Sequence, residues 1–249
     1  MKIGFDGELS FYEKVGNWDF STIKCEEVIL EDEFDFFDWV KKYVKEDSTV
    51  LDLGTGGGEK LLEYFPKAKE IIGIDFSSEM IKTANENLKK TLRKNENIKF
   101  VNMDSNVLEF EDSKFDVVVA RHTVINPKEI KRVLKESGIL IIEGIAKDDS
   151  KELKEYVGRG QCYFDEIAIE KEEYELIKKE NFKFLENKYM LIKEVYETRE
   201  ELYKLLFKAP IIDNINESDF GKIDKYINAT SENGQPVLIR RIYGYLCQK

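Results

Sequence analysis

Four glycines, Gly54, Gly56, Gly57 and Gly58, follow an acid, Asp52, in the stretch VLDLGTGGGEK. Glycines at a strand-to-helix turn let a ligand approach the backbone closely and meet its N–H groups. Asp52 is a poor neighbour for a pyrophosphate but a good one for a cation, such as an ammonium or a sulfonium. A second acid, Asp75, stands where a carboxylate can accept from two ribose hydroxyls. A third, Asp104 in VNMDSNVLEF, suits the exocyclic amine of a purine. Further along, FDVVVARHTVINP carries Arg121 and His122, the only histidine in the chain. An imidazole with an ordinary pKa of about 6.5 can take a proton near neutrality. A guanidinium beside it can hold a carboxylate.

Two phosphate-binding templates fail at the glycine loop. A nucleotide P-loop needs a glycine five positions after the first, then Lys and Ser or Thr. Here Gly54 leads to Glu59, Lys60 and Leu61. The dinucleotide fingerprint GxGxxG fails at the same place, since Glu59 occupies the third glycine position. What remains is a ligand with a ribose, an amino group and a positive charge.

Three acids can meet one ligand only if three strands end together, and the apolar pattern supplies those strands. TVLDL, EIIGID, IKFVNM, FDVVVA and GILIIEGI are short β-branched runs separated by helical patterns. That alternation is the signature of parallel strands covered on both faces, and in such a sheet the carboxyl ends converge on one crevice. Ser77 is placed to cap the second intervening helix, and Pro127 suits the first position of another, expected from about 127 to 135. EDEFDFFDWVKKYVKE places Phe34, Phe37, Val40, Tyr43 and Val44 at helical spacing. Beyond GILIIEGI we expect a charged helix near 170–179, a strand in FKFLENKYMLIKEVYE, a helical insertion over 199–230 and a closing strand in PVLIRRIYGYLC.

Taken together, VLDLGTGGG, IIGIDFSSEMI, VNMDSNVLEF, FDVVVARH and IKRVLKESGILII resemble the class I S-adenosylmethionine-dependent methyltransferases. The details look most like a group of small, largely uncharacterised bacterial members. The resemblance implies an α/β fold, a Rossmann-like doubly wound sheet of seven mainly parallel strands, with an antiparallel last strand and the helical insertion before it. The chain then forms one domain over 1–249, with an N-terminal helical cap (1–47), a cofactor-binding core (48–146) and the insertion (199–230). Carried over residue by residue, Asp52, Gly54 and Gly56 would line the methionine half of S-adenosylmethionine, with Thr55 and Gly58 completing the loop. Asp75 would hold the ribose, Phe76 and Met80 would pack on or near the adenine, and Asp104 with Ser105 would read its edge. One departure is LKESGI, where relatives commonly read LKPGG.

The acceptor is less constrained. Asp plus Glu outnumber Lys plus Arg by 50 to 39, giving a net charge of −11, which disfavours a nucleic-acid partner. Arg240 and Arg241 are adjacent in a strand, so alternation sends them to opposite faces. No Asn/Asp-Pro-Pro-Tyr/Phe follows the fourth core strand, which speaks against planar nucleobase or glutamine nitrogens. We therefore expect a small-molecule acceptor with an O- or N-nucleophile, the alternatives being an RNA or protein methyltransferase or a non-catalytic S-adenosylmethionine-binding protein. Arg121 would bind its carboxylate or that of the cofactor, and His122 is either the general base or a positioned residue bonded at a strand end. SFYEKVGNWDF, with Tyr12 and Trp18, is either a lid or plain packing. Cys25, Cys162 and Cys247 form no CxxC pair, so we expect no metal site, no disulfide framework and a cytoplasmic setting. No apolar stretch suggests a membrane span.

Overall fold

Each of the seven apolar runs becomes a strand, and with one further strand they build one eight-stranded sheet in the order β1-β7-β8-β6-β5-β2-β3-β4. The strands are β1 (Cys25–Glu31), β2 (Thr49–Leu53), β3 (Glu70–Asp75), β4 (Ile98–Asn102), β5 (Phe115–Arg121), β6 (Leu134–Ile145), β7 (Lys183–Tyr196) and β8 (Val237–Gln248). The computed structural model describes residues 22–94 and 96–249. Tyr12 and Trp18 therefore lie outside the described residues. Strands β2 to β6 pair in parallel, whereas β8 runs antiparallel to both β6 and β7.

The helices are α1 (Phe36–Tyr43), α2 (Glu59–Tyr64), α3 (Ser78–Lys90), α4 (Pro127–Val133), α5 (Lys151–Val157), α6 (Ile169–Lys179), α7 (Arg199–Lys208) and α8 (Glu217–Thr230). Ser77 caps α3 by accepting from the Met80 N–H, and Asn126 caps α4 ahead of Pro127. Both faces of the sheet are covered, as continuous apolar strands require. Phe36, Trp39 and Val40 of α1, with Leu61 and Ala84, pack on one face against Val50, Val117, Val119 and Ile141. Ile130, Val133 and Ile177 pack on the other against Leu51, Val118, Leu140 and Ile142. The insertion has its own apolar cluster, in which Leu202, Leu205, Ile223 and Tyr226 close on Leu153 of α5, Tyr196 and Leu238.

Two elements depart from the expectation. The segment expected as a helical cap over 1–47 contains strand β1, which makes an eighth strand by pairing antiparallel with β7 from Cys25↔Tyr196 onward. All seven of its residues are exposed, so CEEVILE shows no clean alternation to mark a strand; its mixed acids and aliphatics suit an open sheet edge. Helix α5, buried through Leu153 and Val157, was also not foreseen, because KELKEYV is too short and charged to show a strong period.

Arg240 and Arg241 are committed to internal ion pairs. Arg240 reaches Asp149 (2.9 Å) and Glu194 (3.2 Å), and Arg241 reaches Glu152 (2.6 Å) and Asp148 (3.6 Å). Neither is available to track a phosphate backbone.

Candidate active site

Strands β2, β3 and β5 are neighbours, and their carboxyl ends bring the glycine loop, Asp75 and the Arg121–His122 pair into one crevice. The loop is fixed by its own backbone. The Thr55 N–H donates to the Ile74 carbonyl at 2.9 Å, and the Gly58 N–H donates to the Thr55 carbonyl at 3.0 Å. Gly54, Gly56 and Gly58 all have positive φ (67°, 56° and 74°), which glycine tolerates without strain. At Gly54 an added Cβ would stand 2.6 Å from the Thr123 side chain, whereas at Gly56 it would meet nothing within 4 Å. Gly56 is thus open toward a ligand. Asn87 of α3 braces the loop, donating from Nδ2 to the Gly57 carbonyl (3.0 Å) and to Glu59 (3.1 Å).

Asp75 is oriented by this loop. Its Oδ2 accepts from the Gly56 N–H at 3.0 Å and its Oδ1 from the Ser77 N–H at 2.9 Å. Each carboxylate oxygen keeps a further lone pair for a hydroxyl. Burial raises its pKa above the ordinary carboxylate range against those two hydrogen bonds.

Asp52 is only 7% exposed. Burial pushes its carboxyl up to about 7, Asp75 adds to the rise, and the Thr55 hydroxyl and Arg121 oppose it. No lysine or arginine among the described residues forms an ion pair with it. A buried acid without a counter-charge is costly, and a cationic ligand would relieve it. This is the fit expected for an ammonium or sulfonium group.

The other predicted contacts divide. Phe76, at the end of β3, is 48% exposed and can offer a ring face, whereas Met80 is buried at 3% and belongs to the packing under α3. Asp104 is exposed. Its Oδ1 accepts from the Asn106 N–H (2.8 Å) and Nδ2 (2.9 Å), leaving Oδ2 for a ligand. The Ser105 hydroxyl spends its proton on the Val124 carbonyl at 3.0 Å, so it can serve a ligand only as an acceptor.

The Arg121–His122 pair converges on a residue that sequence reasoning missed, Glu143 of β6. Val117↔Ile139, Val119↔Ile141 and Arg121↔Glu143 are paired in register, so the two polar side chains share one face at the end of two apolar ladders. Arg121 Nε lies 2.7 Å from Glu143 Oε1, and the guanidinium carbon sits 5.8 Å from the Phe37 ring centroid. Consecutive strand residues point to opposite faces, so His122 could not reach the same carboxylate from a regular strand. It does so because its φ is +53°, with its N–H donating to the Glu143 carbonyl at 2.8 Å. A histidine held in left-handed backbone costs about 1 kcal/mol or more. Its Nε2 then stands 3.1 Å from Glu143 Oε1.

Burial alone would raise Glu143, but His122 and Arg121 together outweigh it and hold the carboxyl at about 2. Enclosure of the His122 ring, then the Arg121 charge, lowers the imidazole below its ordinary range, with Glu143 opposing. The His122 side chain nonetheless keeps 35% of its surface, so it is reachable from the crevice. The clue to Glu143 was in GILIIEGI, where one acid interrupts an apolar run.

Residues 44–207 match the family model described as a methyltransferase domain. A ribosomal protein L11 methyltransferase of Alkaliphilus oremlandii is 36% identical over 121 residues, covering 47% of this chain and 38% of that protein. The uncharacterized methyltransferase YcgJ of Bacillus subtilis is 31% identical over 108 residues, covering 40% of this chain and 42% of that protein. The chain thus spans about two fifths of the length of these curated relatives. The crystal structure of YcgJ superposes with a TM-score of 0.61 at 19% identity, covering 86% of this chain and 97% of that one. A SAM-dependent methyltransferase from Aquifex aeolicus superposes over 98% of this chain and 99% of that one, with a TM-score of 0.55 at 18% identity. No helix among the described residues is long and apolar enough to cross a membrane.

Proposed function

We propose that the chain, which belongs to the methyltransferase domain family, acts as a class I S-adenosylmethionine-dependent enzyme that methylates a proton-bearing oxygen or nitrogen of a small molecule. The observation that carries this reading is the Glu143–His122 pair at the carboxyl end of β5, beside the strand β2 that carries the buried acid Asp52.

In the proposed arrangement Asp52 faces the positive charge of the cofactor, Gly54 and Gly56 present backbone to its methionine half, and Thr55 and Gly58 hold the loop's shape. Asp75 accepts from the ribose hydroxyls, Phe76 covers one face of the adenine, and Asp104 Oδ2 accepts from its amine. The bound sulfonium supplies an already activated methyl group, so the chain's remaining work is alignment and proton removal. The Glu143 carboxylate accepts the Nε2 proton of His122, which leaves Nδ1 as the nitrogen with a free lone pair. An acceptor O–H or N–H presented to Nδ1 loses its proton there, and Glu143 stabilises the imidazolium that results. Arg121, already held by Glu143, offers its remaining donors to a carboxylate of the acceptor or the cofactor.

A small acceptor is supported by the acidic surface and by the pairing of Arg240 and Arg241 with internal acids. The relatives named for ribosomal protein L11 favour a protein acceptor instead, but they match only about half of the chain and less than two fifths of their own length. The deciding experiment is methyl transfer from labelled S-adenosylmethionine, run in parallel against a fractionated metabolite extract and against ribosomal proteins. Label in the small-molecule fraction is expected. Label confined to a ribosomal protein would refute the acceptor class, and failure of calorimetry to detect S-adenosylmethionine or S-adenosylhomocysteine would refute the cofactor assignment.

A further inference from the structure

Between α6 and the β7–β8 ladder lies a cavity of about 470 Å³, walled by Tyr174, Tyr189, Tyr243 and Tyr245. None of its lining residues comes from β2, β3 or β5, the strands that carry the cofactor contacts proposed above. The aromatic wall is preorganised. Tyr243 and Tyr245 stand 5.0 Å apart at 43°, Tyr174 lies edge-on to Tyr245 at 6.0 Å, and Tyr174 stacks on Phe184 at 4.3 Å. Two hydroxyls are tied down outside the cavity's needs: Tyr245 donates to the Glu170 carbonyl at 2.6 Å, and Tyr189 donates to Asp148. Tyr174 and Tyr189 are partly exposed along the cavity, with the more deeply buried Tyr243 and Tyr245 forming its floor.

The charges are telling. Glu170 and Glu175 line the cavity together with Lys171 and Lys188, so those four cancel. Beside them Glu173 is 5% exposed, and its Oε2 is buried without a hydrogen-bond partner. Burial pushes its carboxyl up to about 7, opposed by the hydroxyl of Tyr243, a ring that lines the cavity. A buried carboxyl oxygen with no donor calls for an explanation; Glu173 adjoins the lining without being part of it, and a cation held against the aromatic wall would draw its carboxyl to the charged form. Aromatic faces attract cations through the ring quadrupole, most strongly when the cation is weakly hydrated and carries its own apolar surface. An ammonium bearing alkyl groups meets both demands, whereas an anion would meet Glu173 and a neutral apolar group would leave its charge unanswered.

We propose that this tyrosine-walled cavity is a second ligand site, separate from the methyl-transfer crevice, that takes a small alkylated ammonium against Tyr174, Tyr189, Tyr243 and Tyr245 with Glu173 as its counter-charge. The site stands independently of the acceptor proposed above.

The test is calorimetric titration of the full chain with choline and with its neutral isostere 3,3-dimethylbutan-1-ol, after saturation with S-adenosylhomocysteine. Choline is expected to bind saturably at one site, and the alcohol about tenfold or more weakly. Tyr189→Ala should lose about tenfold in choline affinity and Tyr189→Phe should retain it, since the ring rather than the hydroxyl carries the contact. Glu173→Gln, which keeps the shape and removes the charge, should weaken choline and leave the alcohol unchanged. In every variant the affinity for S-adenosylhomocysteine should match the parent, which reports an intact fold and crevice. Equal binding of choline and alcohol, absence of saturable choline binding, or a Tyr189→Ala variant that binds choline like the parent would overturn the proposal. A parent that fails to bind S-adenosylhomocysteine but still binds choline with this selectivity would instead count against the crevice assignment alone.

Discussion

Replacing Asp52 by Asn should make the ligand-free protein more stable and its cofactor binding weaker. Holding a carboxyl at about 7 instead of 3.8 disfavours its charged form by about 4 kcal/mol. The sign follows from proton binding. Near pH 3 the folded and unfolded chains both carry a neutral Asp52, and no penalty is felt. As pH rises from 3.8 toward 7, the unfolded chain releases the proton and the folded chain keeps it, so stability falls by about 1.4 kcal/mol per pH unit and levels off above 7. Asp52→Asn removes that slope. Relative to the parent, the variant should gain up to about 4 kcal/mol at pH 8 and little at pH 4, read by denaturant melts at both pH values. A cationic ligand reverses the balance by drawing Asp52 to its charged form. At pH 7, where about half the molecules hold the proton, binding should release about 0.5 proton, and the measured heat should differ between buffers of high and low ionisation enthalpy. S-adenosylhomocysteine keeps the ammonium and lacks the sulfonium, so comparing the two ligands shows which charge Asp52 faces. Equal heats in both buffers, together with parent and variant stabilities that run parallel from pH 4 to 8, would refute the reasoning.

Three further outcomes follow from other parts of the structure. If His122 is the base, activity rises with pH through a limb set below the ordinary imidazole range; His122→Ala should abolish the limb and cost about 10²–10⁴ in turnover. Glu143→Gln, by removing the group that raises the His122 pKa, should move what remains of the limb to lower pH. Two glycines of the loop separate strain from access. Gly54→Ala drives a Cβ to 2.6 Å from Thr123 at φ +67° and should cost about 2 kcal/mol or more in thermal stability; Gly56→Ala clashes with nothing in the protein, so its larger effect should fall on cofactor affinity in titration. Arg240→Met strands Asp149 and Glu194, which are 1% and 8% exposed, and should lower stability by about 3–5 kcal/mol in a denaturant melt.

The β/α core was legible in the sequence because its strands are buried on both faces, and burial writes itself as uninterrupted aliphatic runs between helical periods. The insertion was legible only in outline, as helical over 199–230; the structure divides it into α7 (Arg199–Lys208) and α8 (Glu217–Thr230), which begin at the capping residues Thr198 and Asn216. Strand β1 was not, because an exposed edge needs no apolar face. The loop residues Gly54 and Gly56 and the acid Asp75 stood out by type and spacing and by the family resemblance, since the roles proposed for them depend on backbone geometry near one turn. Glu143 was invisible to that logic. Its partners are 22 and 21 positions away, and only the β5–β6 register brings them to one oxygen.

That register also bears on the question the lone histidine raised. In a regular strand Arg121 and His122 would point to opposite faces, and a polar pair placed there only to end an apolar run would have no reason to depart from that pattern. Here the backbone leaves the strand at His122 with φ +53°, a conformation unfavourable for any residue with a Cβ. In return the imidazole Nε2 comes to 3.1 Å from a carboxylate that Arg121 already helps to hold ionised. An end-of-strand histidine satisfied by water would gain nothing from that turn. One whose Nδ1 must remain a proton acceptor gains a fixed tautomer and a counter-charge for the imidazolium, and both serve deprotonation of an acceptor. The discriminating variant is Arg121→Met, which leaves the His122–Glu143 bond in place and removes the charge that lowers the imidazole. If proton transfer to Nδ1 limits the rate, the basic side of the pH profile stays and its limb moves upward. A profile unmoved by Arg121→Met would place His122 outside the proton's path.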